Sequence, residues 1–132
     1  MAWTLLTLIF NMKEIIAIIR PSRAFQTKKN LQEDGFTAYT TFRVLGRSRQ
    51  RGLRYTPRTF FFWRRKKDRV EIQFVPKICI TLTVADRDLP VAVESLIRSN
   101  QTGRMGDGKI YVLPVDDALQ IRNQFKGEKC LQ

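Results

Sequence analysis

The chain has 132 residues, 43% apolar and 27% charged, enough for one hydrophobic core and too few for two comfortable domains. Histidine is absent and the two cysteines, Cys79 and Cys130, make neither a metal spacing nor a disulfide framework. Hydrolase and zinc-enzyme readings therefore lose their usual residues, and a reducing compartment is the default. The net charge is +12, but eleven of the 24 Lys/Arg lie between Arg43 and Arg69 beside one acid, Asp68, so one segment carries most of the excess.

The first eleven residues, MAWTLLTLIFN, are too short to span a bilayer and lack the basic start of a signal peptide. Met12 then opens MKEIIAIIRP like a natural start, so residues 1–11 are expected to be a dispensable extension and 12–132 the folded domain. Glu14 to Arg20 holds IIAII, a β-branched run ended by Pro21, which predicts strand one. Ser22 is the expected N-cap of helix one, with Phe25, Lys28, Leu31 and Gln32 at helical spacing and Gly35 just past its end. Strand two is predicted over Phe36 to Leu45, rich in Thr, Tyr, Phe and Val. A basic loop, about 48–70, follows.

Val70, Ile72 and Phe74, then Ile78, Ile80, Leu82 and Val84, alternate with polar residues as a half-buried strand three does, with Pro76 predicting a bend or bulge. Asp86 or Asp88 is the expected cap of helix two, Pro90 fits its first turn, and Val93, Leu96 and Ile97 are its expected apolar stripe. Ile110 to Leu113 is strand four, followed by a tail at about 119–132. The order βαββαβ predicts an α+β, ferredoxin-like double split βαβ fold.

The segment Thr102 to Val115, TGRMGDGKIYVLPV, places three glycines and a lysine before strand four. Gly103, Gly106 and Gly108 can turn successive N–H groups toward an anion, and Lys109 adds a full charge. Ordinary loop chemistry is the competing account of such a turn.

This string closely resembles the C-terminal signature of the PII family of nitrogen-signalling proteins, with Tyr111 where the family usually has Phe or Trp. The resemblance extends to MKEIIAIIRP at Met12 to Pro21, VLGRSRQRG at Val44 to Gly52 and FVPKICITLTVAD at Phe74 to Asp86. It implies a cytoplasmic, non-enzymatic trimer of ferredoxin-like subunits with an extended T-loop between strands two and three. ATP or ADP would lie in the subunit clefts, and 2-oxoglutarate would be sensed through Mg²⁺-ATP. Gly106, Gly108, Lys109 and Arg49 would serve the phosphates, with Arg122 reaching them across the interface. Ile18, Gly46 and Thr40 would line the adenine and ribose end, Thr40 from the neighbouring subunit. Gln50 would complete the Mg²⁺ and 2-oxoglutarate site, and Lys77 would pair with the distal carboxylate of the keto acid. The residue two before Arg122 is Gln120, uncharged where the family usually has a cation.

The GRSRQRGL exit, NQTG at Asn100 to Gly103 and YVLPVDDA at Tyr111 to Ala118 are most similar to the nitrogenase-associated subgroup. That implies a switch that binds dinitrogenase, as a homotrimer or with a PII paralogue. Regulation of an ammonium transporter or an enzyme is the alternative within the family, and would be the protein's only link to a membrane. The loop departs from the family: Tyr55 lies outside any YRGAEY-like context, so uridylylation is not expected. Phe60, Phe61, Phe62 and Trp63 run into Arg64, Arg65, Lys66 and Lys67. Aromatics interleaved with basic residues suit a nucleic-acid stacking surface, a membrane-interface anchor or a protein-docking plug; docking to an acidic protein surface ranks first, and folding back onto the trimer is the competing account.

Two other function classes compete with this reading. An RRM-type RNA-binding module shares the topology, but needs stacking aromatics on strands one and three, where this chain offers IIAII and Glu71, Gln73, Lys77 and Thr81. A small enzyme has no histidine or paired carboxylates to use, although Asp107 and Lys109 offer weak assistance to ATP hydrolysis.

Overall fold

The computed structural model describes residues 11–47 and 74–131. Four strands form one antiparallel sheet in the order β2-β3-β1-β4, with β1 at Met12–Ile19, β2 at Thr40–Gly46, β3 at Val75–Ala85 and β4 at Lys109–Val115. Helix α1, Ala24–Glu33, joins β1 to β2, and helix α2, Leu89–Asn100, joins β3 to β4. This is the predicted α+β ferredoxin-like arrangement, with β1 and β3 central.

The sheet buries one face. Ile15, Ala17 and Ile19 of β1 and Ile80, Leu82 and Val84 of β3 form the core with Leu31 of α1 and Ala92 and Leu96 of α2. The alternation seen in the sequence is this face, because side chains two apart on a strand point the same way. The opposite face is open. Phe42, Ile16, Tyr111 and Leu113 share it by register, and Phe42, Tyr111 and Leu113 are exposed. The central strands place Glu14, Ile16, Ile18, Lys77, Cys79, Thr81 and Thr83 there, with no aromatic among them.

Several local expectations are corrected. Ser22 caps nothing; Pro21–Arg23 form a 3-10 turn leading directly into α1, which has no side-chain cap. Pro21 fixes φ at a helix-compatible value and has no N–H to satisfy, so the chain enters the helix without a cap. Phe25 is exposed, and α1 buries Thr27 and Leu31 instead. Its end is as expected. Gly35 takes φ +93°, its N–H donates to the Gln32 carbonyl and the Phe36 N–H to the Leu31 carbonyl, a Schellman closure.

Strand β2 begins at Thr40, four residues later than predicted, since Phe36 and Tyr39 pack against the core from the connecting segment. Pro76 makes no bulge: the β2–β3 register is unbroken from Thr40↔Thr81 to Gly46↔Val75. Pro76 lies past the β1 ladder, which ends at Ile19↔Ile78, where a missing N–H costs least.

Neither Asp86 nor Asp88 caps α2 through its side chain; Asp86 receives the Lys13 ammonium at 2.9 Å. On α2, Ile97 is exposed and Ser95, Ser99 and Asn100 are buried. The two helices meet along a polar seam. Asn100 donates to the Thr27 hydroxyl at 3.0 Å and the Leu96 carbonyl at 2.8 Å, and Asn30 donates to Ser99 Oγ at 2.8 Å. These bonds satisfy groups that burial would otherwise penalise by about 1–3 kcal/mol each, and they fix the end of α2 where the glycine turn begins.

Candidate functional site

The turn from Thr102 to Gly108 is built around Asp107. Its carboxylate accepts the Thr102 N–H at 2.7 Å, the Gly103 N–H at 3.0 Å, the Thr102 hydroxyl and the Arg20 guanidinium. Arg20 also donates to the Met105 carbonyl at 2.8 Å, so one side chain from the end of β1 ties both sides of the turn. The Thr102 hydroxyl, then the Thr102 N–H, Arg20 and the Gly103 N–H, hold the Asp107 carboxyl well below the usual carboxylate range, while partial burial opposes them. Asp107 is thus committed to structure, and the assistance to hydrolysis considered from sequence finds its carboxylate already engaged.

Three glycines of the turn have positive φ: Gly103 at +76°, Gly106 at +96° and Gly108 at +111°. Gly108 is also pressed against β1. A Cβ there would collide with the Ile18 carbonyl oxygen and lie 2.9 Å from its carbon. Only glycine lets β4 start so close to Ile18, which pairs with Lys109.

Beside this turn is a cleft of about 240 Å³ lined by Ile18, Gly46, Arg47, Val75, Lys77, Gly106, Gly108, Lys109 and Tyr111. Three cations line it and no carboxylate does. Lys77, placed by the polar phase of β3, donates to the Gly106 carbonyl at 2.8 Å. Burial pushes its ammonium below the usual lysine value, Arg20 adds to the shift, and Asp107 opposes it. Lys77 is therefore not the solvated strand lysine that sequence alone would favour.

Six of the expected ligand residues share this cleft: Ile18, Gly46, Lys77, Gly106, Gly108 and Lys109. Thr40 lies elsewhere on the chain, in a cleft of about 520 Å³ with Glu14, Thr81, Thr83 and Cys130. Arg122 is exposed within the turn closed by the Leu119↔Lys126 bridge and does not line the glycine cleft of its own chain. Arg49, Gln50, Tyr55, the aromatic-basic run from Phe60 to Lys67 and the extension at residues 1–10 lie outside the described residues. Sequence reasoning missed the Arg20–Asp107 pair, whose members are 87 residues apart, and Arg47 as a lining cation. No spacing rule links the pair; the only signal was an arginine held rigidly before Pro21.

The residues present fit a polyanion. Backbone glycines approach closely, Lys77, Lys109 and Arg47 supply charge, and Asp107 faces its own turn. Among the described residues no cluster of three acidic or cysteine side chains is placed to hold a metal ion, and no helix is long and apolar enough to cross a membrane.

Residues 12–124 match the family model described as Nitrogen regulatory protein P-II. The chain is 41% identical over 123 residues to a nitrogen fixation nifHD region GlnB-like protein 2 of Methanobacterium ivanovii, covering 91% of this chain and 99% of that protein. It is 40% identical over 124 residues to the protein of the same description from Methanococcus maripaludis, covering 91% and 100%. Nitrogen regulatory protein P-II 2 of Methanothermobacter thermautotrophicus is 37% identical over 120 residues, covering 91% and 97%. Among solved structures, Arabidopsis thaliana PII bound to citrate superposes with a TM-score of 0.71 at 26% identity, covering 93% of this chain and 92% of that one.

Proposed function

This chain belongs to the nitrogen regulatory protein P-II family, and from that premise we propose that it senses ATP or ADP together with 2-oxoglutarate and regulates nitrogenase by protein binding. The observation that carries the proposal is the cleft that unites Ile18, Gly46, Lys77, Gly106, Gly108 and Lys109 with three cations and no acid. Phosphates would lie against the Gly106–Lys109 backbone and the Lys109 ammonium. A Mg²⁺ ion would take most of its ligands from those phosphates, as that hard cation prefers, and would supply positive charge for the keto acid to chelate. Gln50 and Arg49 would add to this site from the basic loop.

Lys77 is the residue for the distal carboxylate of 2-oxoglutarate. It waits on the Gly106 carbonyl, a neutral acceptor, and exchanging that partner for a carboxylate strengthens the bond. A trimer, homomeric or with a paralogue, is supported by the open sheet face carrying Phe42, Tyr111 and Leu113, and would bring Thr40 and Arg122 of neighbouring copies to each cleft. The regulated target is dinitrogenase, in the cytoplasm, a reading supported by the nifHD-region relatives. Tyr55 and the run from Phe60 to Lys67 are the loop residues that would grip it. The chain acts by binding, not by turnover.

Calorimetry with Mg²⁺-ATP, with and without 2-oxoglutarate, tests this reading. ATP is expected to bind and 2-oxoglutarate to tighten it, with Gln50→Ala sparing the first and losing the second. No nucleotide binding under these conditions ends the proposal, and synergy retained in Gln50→Ala removes that residue from the site.

A further inference from the structure

We infer that a second cleft, lined by arginines of the glycine turn and of the segment that leaves β1, docks an acidic surface of a partner protein, and that Arg20 couples this docking to the phosphate cradle. The cleft, about 460 Å³, is lined by Arg20, Arg23, Thr102 and Arg104. Its guanidinia come from three places in the chain: the end of β1, the 3-10 turn before α1, and the glycine turn. Only Arg20 has a carboxylate partner, Asp107; among the described residues no carboxylate lies within ion-pair distance of Arg23 or Arg104. Guanidinium groups cannot shed their protons at accessible pH, so Arg23 and Arg104 keep charges that an anion from outside can pair with. Their planar forks fit carboxylates in pairs of hydrogen bonds.

The surroundings favour a protein surface over a free oxyanion. Met105, next to Arg104 in the chain, is 64% exposed. Arginine and methionine are residues that protein interfaces enrich. A small oxyanion would use the arginines and leave that apolar group in water. Acidic residues on the partner would complement the patch and steer its approach.

Coupling follows from the double duty of Arg20. It donates to Asp107 and to the Met105 carbonyl, both parts of the turn that carries Gly106 and Gly108. A partner carboxylate that draws Arg20 toward itself takes one bond from Asp107 and loosens the turn. Whatever factor docking imposes on phosphate binding, phosphate must impose on docking. The docking site stands on the arginine geometry; only the coupling rests on the nucleotide reading proposed above.

The test uses the full chain and a fluorescein-labelled decapeptide of Asp and Glu, followed by anisotropy. The double variant Arg23→Glu/Arg104→Glu is expected to weaken peptide binding about tenfold, as two exposed ion pairs lost and two repulsions gained imply. Lys126→Glu/Lys129→Glu, an equal charge change on two exposed lysines elsewhere, should leave binding unchanged. Because the basic loop will also attract the peptide, the double variant is repeated in a background with Arg64 to Lys67 changed to glutamine, where the tenfold loss should persist. Arg23→Gln/Arg104→Gln, which adds no repulsion, gives a smaller loss and guards against a folding defect in the reversal. The inference is overturned if the reversal matches Lys126→Glu/Lys129→Glu, if the loss vanishes in the loop background, or if the site takes inorganic phosphate or phosphatidylglycerol vesicles and not the peptide. Absence of ATP binding would end the nucleotide reading and the coupling, while the peptide result alone decides the docking site.

Discussion

Gly108→Ala isolates the closest backbone approach in the site. Two costs add. The residue sits at φ +111°, a region that side chains with a Cβ rarely adopt, which costs on the order of 1–3 kcal/mol. The new Cβ would also collide with the Ile18 carbonyl oxygen and lie 2.9 Å from its carbon and 3.3 Å from Ile19 Cα, all backbone atoms of a central strand. Relief requires β4 to move off β1 at the Ile18↔Lys109 pair, and overpacking of this kind costs about 1–3 kcal/mol. Together these give about 2–6 kcal/mol, a large share of the ~5–15 kcal/mol that holds a domain together.

The assay is urea unfolding at one fixed protomer concentration, since any self-association would make the midpoint depend on it. The midpoint should fall with little change in slope. Gly103→Ala is the internal control: its φ is +76°, but a Cβ there meets nothing within 4 Å, so only the conformational cost applies. Gly108→Ala should therefore be the more destabilised of the two by about 1–3 kcal/mol. Equal effects would show that the approach to Ile18 is not what demands glycine, and the reasoning would fail.

Lys109→Ala should weaken ATP binding roughly 10–100-fold, the worth of a charge-assisted hydrogen bond of ~1.5–3 kcal/mol, and unchanged affinity would remove Lys109 from the phosphates. Asp107→Asn should speed amide exchange across residues 102–108 and reduce ATP affinity while leaving exchange in β1 and β3 near wild type; uniform loss of protection would mean that the turn has no local organisation of its own. In the wild type that local protection should be complete above the ordinary carboxylate range and decline progressively as pH falls from the ordinary value toward the depressed folded one. Between the two the open state binds a proton that the closed turn does not, so stability falls with pH even while Asp107 stays ionised in the closed turn. For Lys77 the sign is opposite. Its folded pKa lies below the unfolded one, so between the two the unfolded state binds more protons and stability rises with pH, a rise that Lys77→Met should abolish. Synergy between 2-oxoglutarate and ATP should fade across the same window, because the neutral amine no longer attracts a carboxylate; synergy persisting above the ordinary lysine value would exclude Lys77 from the site.

The sequence by itself determined the order of elements, the buried face of β1 and β3 and the glycine–lysine run, because period-2 alternation and glycine placement are local properties that neighbours in the chain express directly. It also determined the family, since the signature from Thr102 to Val115 is continuous text. Local rules erred where long-range packing overrode them: Ser22 was displaced by a 3-10 turn, Phe25 was left in water while Thr27 went inside, and Ser95, Ser99 and Asn100 filled the helix seam in place of Ile97. Tertiary structure alone decided the rest of the site. Arg20 meets Asp107 across 87 residues, and Lys77 meets the Gly106 carbonyl across 29, contacts that exist only because β1 lies between β3 and β4. Gly108 is required for the same reason: what excludes its Cβ is the backbone of Ile18, brought there by strand pairing and invisible in the residues on either side of it.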